Sequence, residues 1–253
     1  MKRIVLFGTG NVATHLFEAY KSSSKFKIVQ VFNHSEKSLE TFKKNVPTTT
    51  DFTKVEDADI YILALKDDFL SQFANRLKTT EALVVHTSGS VSMDALKHFK
   101  HFGVFYPLQT FSKNKKIDFT GIPICVEANT EKDIQLLKEL ASEIAENIFK
   151  ITSEQRKSLH VAAVFVSNFV NYLYTEGESI CKENKVPFEI LHPLILETAS
   201  KAVNMSPKEA QTGPAKRQDQ AVINSHLELL NEEQQKIYSL LTKSIQNLHG
   251  KEL

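Results

Sequence analysis

The chain has 253 residues, 42% hydrophobic and 24% charged, which is the make-up of a globular protein with material for one large core or two ordinary domains. Its 31 Lys and Arg against 30 Asp and Glu leave a net charge of +1, which excludes a general attraction to nucleic acid or to anionic lipid. Cys125 and Cys181 are too distant in sequence to form a metal-spaced or redox pair, and no apolar run reaches membrane-spanning length. A strand signal opening almost at Met1 leaves no room for a leader, so the expectation is a cytoplasmic chain with two reduced thiols and no metal.

From residue 2 to about 152 short apolar runs alternate with helical patterns. Strand-like runs fall at 4–7, 27–32, 60–65, 83–86, 103–106, 123–126 and 148–151, with helices expected at 38–44, 68–77 and 130–147. Alternation of this kind predicts a mostly parallel sheet covered by helices, an α/β fold. Beyond 152 the strand signal stops. Residues 153–184, 187–204, 208–211 and 215–249 read as helix, interrupted at Pro187, Pro207 and Gly213-Pro214. The expected organisation is a Rossmann-like dinucleotide-binding domain over 1–152 and an all-helical domain over 153–253.

The first strand runs straight into Gly8-Thr9-Gly10-Asn11-Val12-Ala13, a G-x-G-x-x-A turn opening a helix. Gly8 permits the tight turn, Gly10 lets a diphosphate approach the backbone, and Ala13 lets the helix pack on the strand. Amides of Thr9, Asn11 and Val12 then face the phosphates, with the positive end of the helix behind them. The second strand ends at Asn33-His34-Ser35, where an NAD-preferring site would carry an acid for the ribose hydroxyl. Without that acid the loop favours NADP, although Glu36 is close enough in sequence to act in its place. Leu65 and Lys66 at the third tip are candidates to line the nicotinamide side. His86 and Ser88, at the fourth tip, form either a site or simply a capped turn.

These residues carry a resemblance. The segments 8–13, 85–90 and Tyr106-Pro107-Leu108-Gln109-Thr110-Phe111, with Ser167-Asn168-Phe169, His192-Pro193-Leu194 and Thr212-Gly213-Pro214-Ala215-Lys216-Arg217-Gln218-Asp219, resemble two-domain NADP-dependent oxidoreductase-like proteins. That family joins a Rossmann-like domain to a helical domain of unknown function. The N-terminal half is also similar to pyrroline-5-carboxylate reductase, the β-hydroxyacid dehydrogenases and deazaflavin-dependent NADP reductases. The resemblance implies hydride transfer and a homodimer paired through the helical domain. Two positions depart from the pattern: Tyr106 stands where the family often has His, and His34 where NADP-binding relatives often have Arg.

Read as one straight helix, 159–175 places His160, Ser167 and Asn171 in line, with Asn168 at the edge, opposite a wide apolar arc. Such a stripe suits a cleft wall that bonds a small-molecule substrate, or equally a buried helix bonding its neighbours. Related dehydrogenases carry a catalytic Lys on this helix, and none lies on this stripe. The catalytic candidates are therefore His86, His160 and Asn168, with Ser167, Asn171 and Arg217 toward substrate. Gly213-Pro214 reads as a helix start with Arg217 and Asp219 in its first turns, an arrangement that also allows an Arg217–Asp219 pair. The expected activity is NADP-dependent reduction of a small carbonyl or imine. The rival is a non-catalytic NADP(H)-binding sensor or scaffold.

Overall fold

The computed structural model describes residues 1–78, 80–113 and 115–250. It divides into two compact units, Met1–Ser167 and Asn168–Leu253.

The first unit is built on an eight-stranded sheet in the order β3-β2-β1-β4-β5-β6-β7-β8. The strands are β1 (Lys2–Phe7), β2 (Phe26–Phe32), β3 (Thr48–Thr49), β4 (Ile60–Leu63), β5 (Leu83–His86), β6 (Phe102–Pro107), β7 (Ile124–Ala128) and β8 (Ile148–Lys150). All neighbours pair in parallel except β6 and β7, which run antiparallel with Pro107 opposite Ile124 and Gly103 opposite Ala128. The seven expected strands are present. The two-residue β3 escaped notice because a pair of threonines has no periodicity to read.

Both faces of the sheet are covered, so its central strands are apolar throughout. In β1, Ile4 and Leu6 enter one core, while Val5 and Phe7 enter the other. The first core is closed by α1 (Asn11–Tyr20) and α4 (Glu131–Ser142). Ala13, Leu16, Phe17 and Tyr20 recur at helical spacing on the buried face of α1, and the Tyr20 hydroxyl donates to the Leu140 carbonyl at 2.9 Å. The second core lies under α3 (Asp67–Ala74). Helix α2 (Glu36–Lys43) buries Leu39 and Phe42. Thr130 caps α4 as expected, accepting from the Asp133 amide at 3.1 Å. The start of α3 falls a residue earlier than expected. Lys66 is its N-cap, and Asp67 and Asp68 both occupy the first turn, where their charges favour the positive helix end.

The unit continues past the expected boundary at 152. Thr152 and Gln155 form a capping box that opens α5 (Ser153–Ala163), and this helix is fastened to the sheet by Arg156. The Arg156 side chain is 1% exposed. It pairs with Glu127 of β7, and its Nε donates to the Ser88 carbonyl at 3.2 Å. Its Nη2 donates to the Val91 carbonyl. Glu127 also accepts from the Ser153 amide at 2.8 Å and hydroxyl at 2.9 Å. A helix held this way belongs with the sheet, which is why the compact units part at Ser167 and not at 152.

The second unit is helical, with α6 (Val170–Glu183), α7 (His192–Asn204), α8 (Pro207–Ala210), α9 (Gln220–Glu228) and α10 (Glu232–His249). Leu173, Gly177 and Ile180 of α6 meet Leu230, Ile237 and Leu241 around an apolar cavity of about 400 Å³. Buried Gln234 donates to Glu176 at 3.2 Å, and exposed His226 bonds the Tyr238 hydroxyl at 2.9 Å. The helix expected from 215 does not start there. Residues 214–218 form turns, Gln218 has a φ of 56°, and Asp219 caps α9 by accepting from the Val222 amide at 3.3 Å. The left-handed Gln218 ends any helical run begun at Pro214.

Among the described residues no helix is long and apolar enough to cross a membrane, and no group of three metal-ligating side chains gathers. Arg156→Leu leaves Glu127 without its cation and two carbonyls without a donor. Urea unfolding is expected to show a loss of about 3 kcal/mol, of which Arg156→Leu with Glu127→Leu recovers part.

Candidate active site

The turn after β1 has the geometry a dinucleotide needs. Gly8 has a φ of 109°, and a Cβ there would lie 2.2 Å from the Ala64 carbonyl oxygen, so the chain reverses flush against the tip of β4. Gly10 differs: a Cβ there would meet nothing within 4 Å. It is the N-cap of α1, with no side-chain cap and no acid in the first turn. The first amides of α1 thus open onto free space with the positive end of the helix behind them. The Asn11 side chain turns away and donates to the Phe111 carbonyl at 2.6 Å, while His15 bonds the Ser112 carbonyl at 3.0 Å. Val12 packs on the first core. What these two positions offer a ligand is main chain.

A cavity of about 630 Å³ spreads from this turn, lined by Gly8, Thr9, Gly10, Asn33, His34, Leu65 and Lys66, all of them expected. It also takes in residues the sequence did not single out, namely Ser38, Phe69, Gln72, Phe73, Arg76 and Lys113, with Ala64 completing the wall. None of the lining residues is an acid. Glu36, the acid nearest the tip of β2, is bound to Lys43 at 2.7 Å. Ser35 is the N-cap position of α2 and is not part of the lining. A cradle that a Cβ at Gly10 would fill, with lysine and arginine on its rim, fits a dinucleotide diphosphate.

His86 corrects one expectation. Its ring is fully buried, its Nδ1 accepts from the Ser88 amide at 3.2 Å, and its Nε2 donates to the Ser92 carbonyl at 3.4 Å. Burial, with the nearby Arg156 charge, brings its pKa down to about 3. It is a neutral imidazole with both nitrogens committed, a brace for the loop and not a proton donor. Ser88 serves the same loop, its hydroxyl oxygen accepting from the Ser90 and Val91 amides at 3.1 and 3.0 Å.

The loop that His86, Ser88 and Arg156 hold brings Gly89 against a second pair. The Tyr106 hydroxyl and His160 Nδ1 lie 3.0 Å apart, and a Cβ on Gly89 would come within 2.5 Å of that Nδ1 and 2.9 Å of Tyr106 Cζ. Tyr106 has a pKa pushed up to about 12, chiefly by burial, with Cys125 and Asp67 adding to it and Arg156 opposing. A phenol so reluctant to ionise keeps its proton, and its hydroxyl ties down Nδ1 of the ring as either donor or acceptor. Among the described residues Nε2 has no partner.

The straight helix expected over 159–175 does not form. Six residues, Val164–Phe169, wind as a π-helix between α5 and α6. A π turn holds more residues than an α turn, so the positions beyond it rotate out of line with His160 and the single stripe is broken. Ser167 ends the first unit, partly buried. Asn168 and Asn171 belong to the second unit and are exposed, as is Arg217, which has no ion pair with Asp219 among the described residues.

A family model described as a domain of unknown function (DUF2520) matches residues 122–245. The crystal structure of a Bacteroides fragilis protein provisionally named an NADP oxidoreductase is 42% identical, with 97% of this chain and 98% of that one covered and a TM-score of 0.87. An imine reductase from Myxococcus stipitatus in complex with NADP+ has a TM-score of 0.72 at 12% identity, covering 99% and 95% of the two chains. A 1-pyrroline-5-carboxylate reductase from Streptococcus pyogenes has a TM-score of 0.65 at 17% identity, covering 99% and 97%. The last two are likenesses of fold. The sequence has no significant match among curated proteins.

The two glycines of the turn separate stability from binding. Gly8→Ala is expected to destabilise the fold by about 2 kcal/mol or more in urea unfolding, because both its φ and its space forbid a side chain. Gly10→Ala should leave stability within about 0.5 kcal/mol yet weaken NADPH binding roughly tenfold or more by fluorescence titration.

Proposed function

The chain belongs to the two-domain NADP oxidoreductase-like family, and from that premise we propose that it reduces a small carbonyl or imine with NADPH. The observation that carries this reading is the open space over Gly10 at an uncapped helix N-terminus. Gly8, Thr9 and Gly10, with the amides of Asn11 and Val12, would hold the diphosphate. Asn33 and His34 would lie toward the adenosine end, and Leu65 and Lys66 toward the nicotinamide. The cofactor, when bound, supplies the hydride.

The chain's own contribution is proton management. Tyr106 orients the His160 ring through Nδ1. As the imidazolium, His160 donates from Nδ1 to the Tyr106 oxygen and gives its Nε2 proton to the carbonyl oxygen or imine nitrogen as the adjoining carbon takes the hydride, returning to the neutral ring. The brace formed by His86, Ser88 and Arg156 keeps Gly89 in place, and so keeps the Tyr106–His160 pair in register. The helical unit is proposed to pair with a second copy. Leu194, Leu196, Val203, Leu229 and Leu240 are all exposed on it, more apolar surface than an isolated helical domain commonly leaves to water.

The test is NADPH oxidation over a panel of small carbonyls and cyclic imines. With a substrate in hand, His160→Gln should lower kcat by about 100-fold or more and Tyr106→Phe by about tenfold, with NADPH affinity within about twofold of wild type. Undiminished kcat in His160→Gln would remove that residue from the mechanism. NADPH binding with no turnover on any compound would favour the sensor reading. For the assembly, light scattering should give twice the 28.6 kDa chain mass, and Val203→Glu with Leu196→Glu should return it to a single chain.

A further inference from the structure

Adenosine recognition offers a sharper inference, which rests on the dinucleotide reading above. The cavity has two walls beyond the glycine turn. One comes from the tip of β2 and the start of α2, with Asn33, His34 and Ser38. The other comes from α3 and the turn after it, with Phe69, Gln72, Phe73 and Arg76. Arg76 differs from two of the other arginines of the chain. Arg3 is paired with Glu56 and Arg156 with Glu127. Arg76 has no carboxylate partner among the described residues, and it faces a cavity whose lining has no acid at all.

Its guanidinium is also held. The Arg76 Cζ lies 4.3 Å from the centroid of the Phe52 ring. Phe52 in turn packs against Phe32 at 4.6 Å and Phe73 at 5.1 Å, and both of those rings pack against Phe7 of β1. The arginine therefore rests on an aromatic block continuous with the core of the sheet, its Cζ over the Phe52 ring. The guanidinium N–H fork matches the oxygens of a phosphate. Ser38 contributes a hydroxyl from the opposite wall, and Phe69, 58% exposed, offers a ring on which a purine can stack.

A free ribose hydroxyl would ask for an acceptor, and the acid nearest to that duty, Glu36, is engaged by Lys43. A phosphomonoester at the same place would ask for an unneutralised cation and donors. We infer that Arg76, carried on Phe52 and faced by Ser38, is the specificity-determining residue that recognises the 2′-phosphate of an adenosine-bearing dinucleotide.

Calorimetric titration of the full chain with adenosine 2′,5′-bisphosphate and with 5′-AMP reads this without any turnover. Arg76 is exposed, so its replacement leaves the core untouched. Arg76→Gln is expected to weaken the bisphosphate by about 10- to 100-fold while 5′-AMP stays within about twofold, and Arg76→Lys should recover part of the loss. Equal weakening of both compounds would reduce Arg76 to an adenine platform and overturn the inference. Unchanged affinity for the bisphosphate would overturn it as well. Either result would leave the dinucleotide reading intact, provided that wild type binds NADPH. Wild-type chain that binds neither fragment nor NADPH would overturn the dinucleotide reading and this inference together.

Discussion

One buried cation ties together the loop after β5, strand β7 and helix α5 of the first unit. Arg156 is almost wholly removed from water, and a charge in that position is tolerable only because Glu127 neutralises it and three oxygens besides take up its N–H groups. The same contacts do structural work in two directions. They attach α5 to β7, and they pin the loop after β5 at Ser88 and Val91. Gly89 lies between those two anchors, and the space it leaves is the space in which Tyr106 and His160 meet. The proton on His86 is decided here too, since the positive charge of Arg156 adds to burial in keeping that ring neutral.

What could be read from the sequence was what depends on near neighbours. The strand, glycine turn and helix at residues 2–20 are encoded within one short stretch, and Gly8 makes the tight turn expected of it. The alternation that marked the sheet is likewise local. The expected role of His86 depended on which atoms surround it, and these come from Ser92 and from Arg156, the latter far along the chain. Tyr106 drew notice only as a departure from a pattern. Its meaning lies in a bond to a residue 54 positions away. The polar stripe failed for a different reason. It assumed a constant angle per residue, and the π-helix breaks that assumption in the middle of the span. Arg76 left no sequence signal, because an arginine after a helix usually means only a solvated end.

The distribution of charge shows how a nearly neutral chain can hold a highly charged ligand. A net charge of +1 gives no long-range pull. The cavity obtains its polarity by sorting. No carboxylate lines it, and Glu36, near the tip of β2, is bound to Lys43, while Lys66, Arg76 and Lys113 belong to the lining. Selectivity of that kind is short-ranged and depends on shape, so the rest of the surface can remain unremarkable.

The reversed pairing of β6 with β7 decides a direction of travel. Strands β1, β2, β4, β5 and β6 all finish at one rim of the sheet, the rim where the glycine turn lies. Because β7 runs the other way and β8 follows it, the chain arrives at the far rim before α5 begins. Helix α5 must therefore climb back. Its seven-residue ascent from Ser153 beside Glu127 to His160 beside Tyr106 amounts to about 10 Å. Had the seventh strand run parallel to its neighbour, the same helix would set out from the upper rim and carry its histidine downward, away from the place where a ligand can be reached.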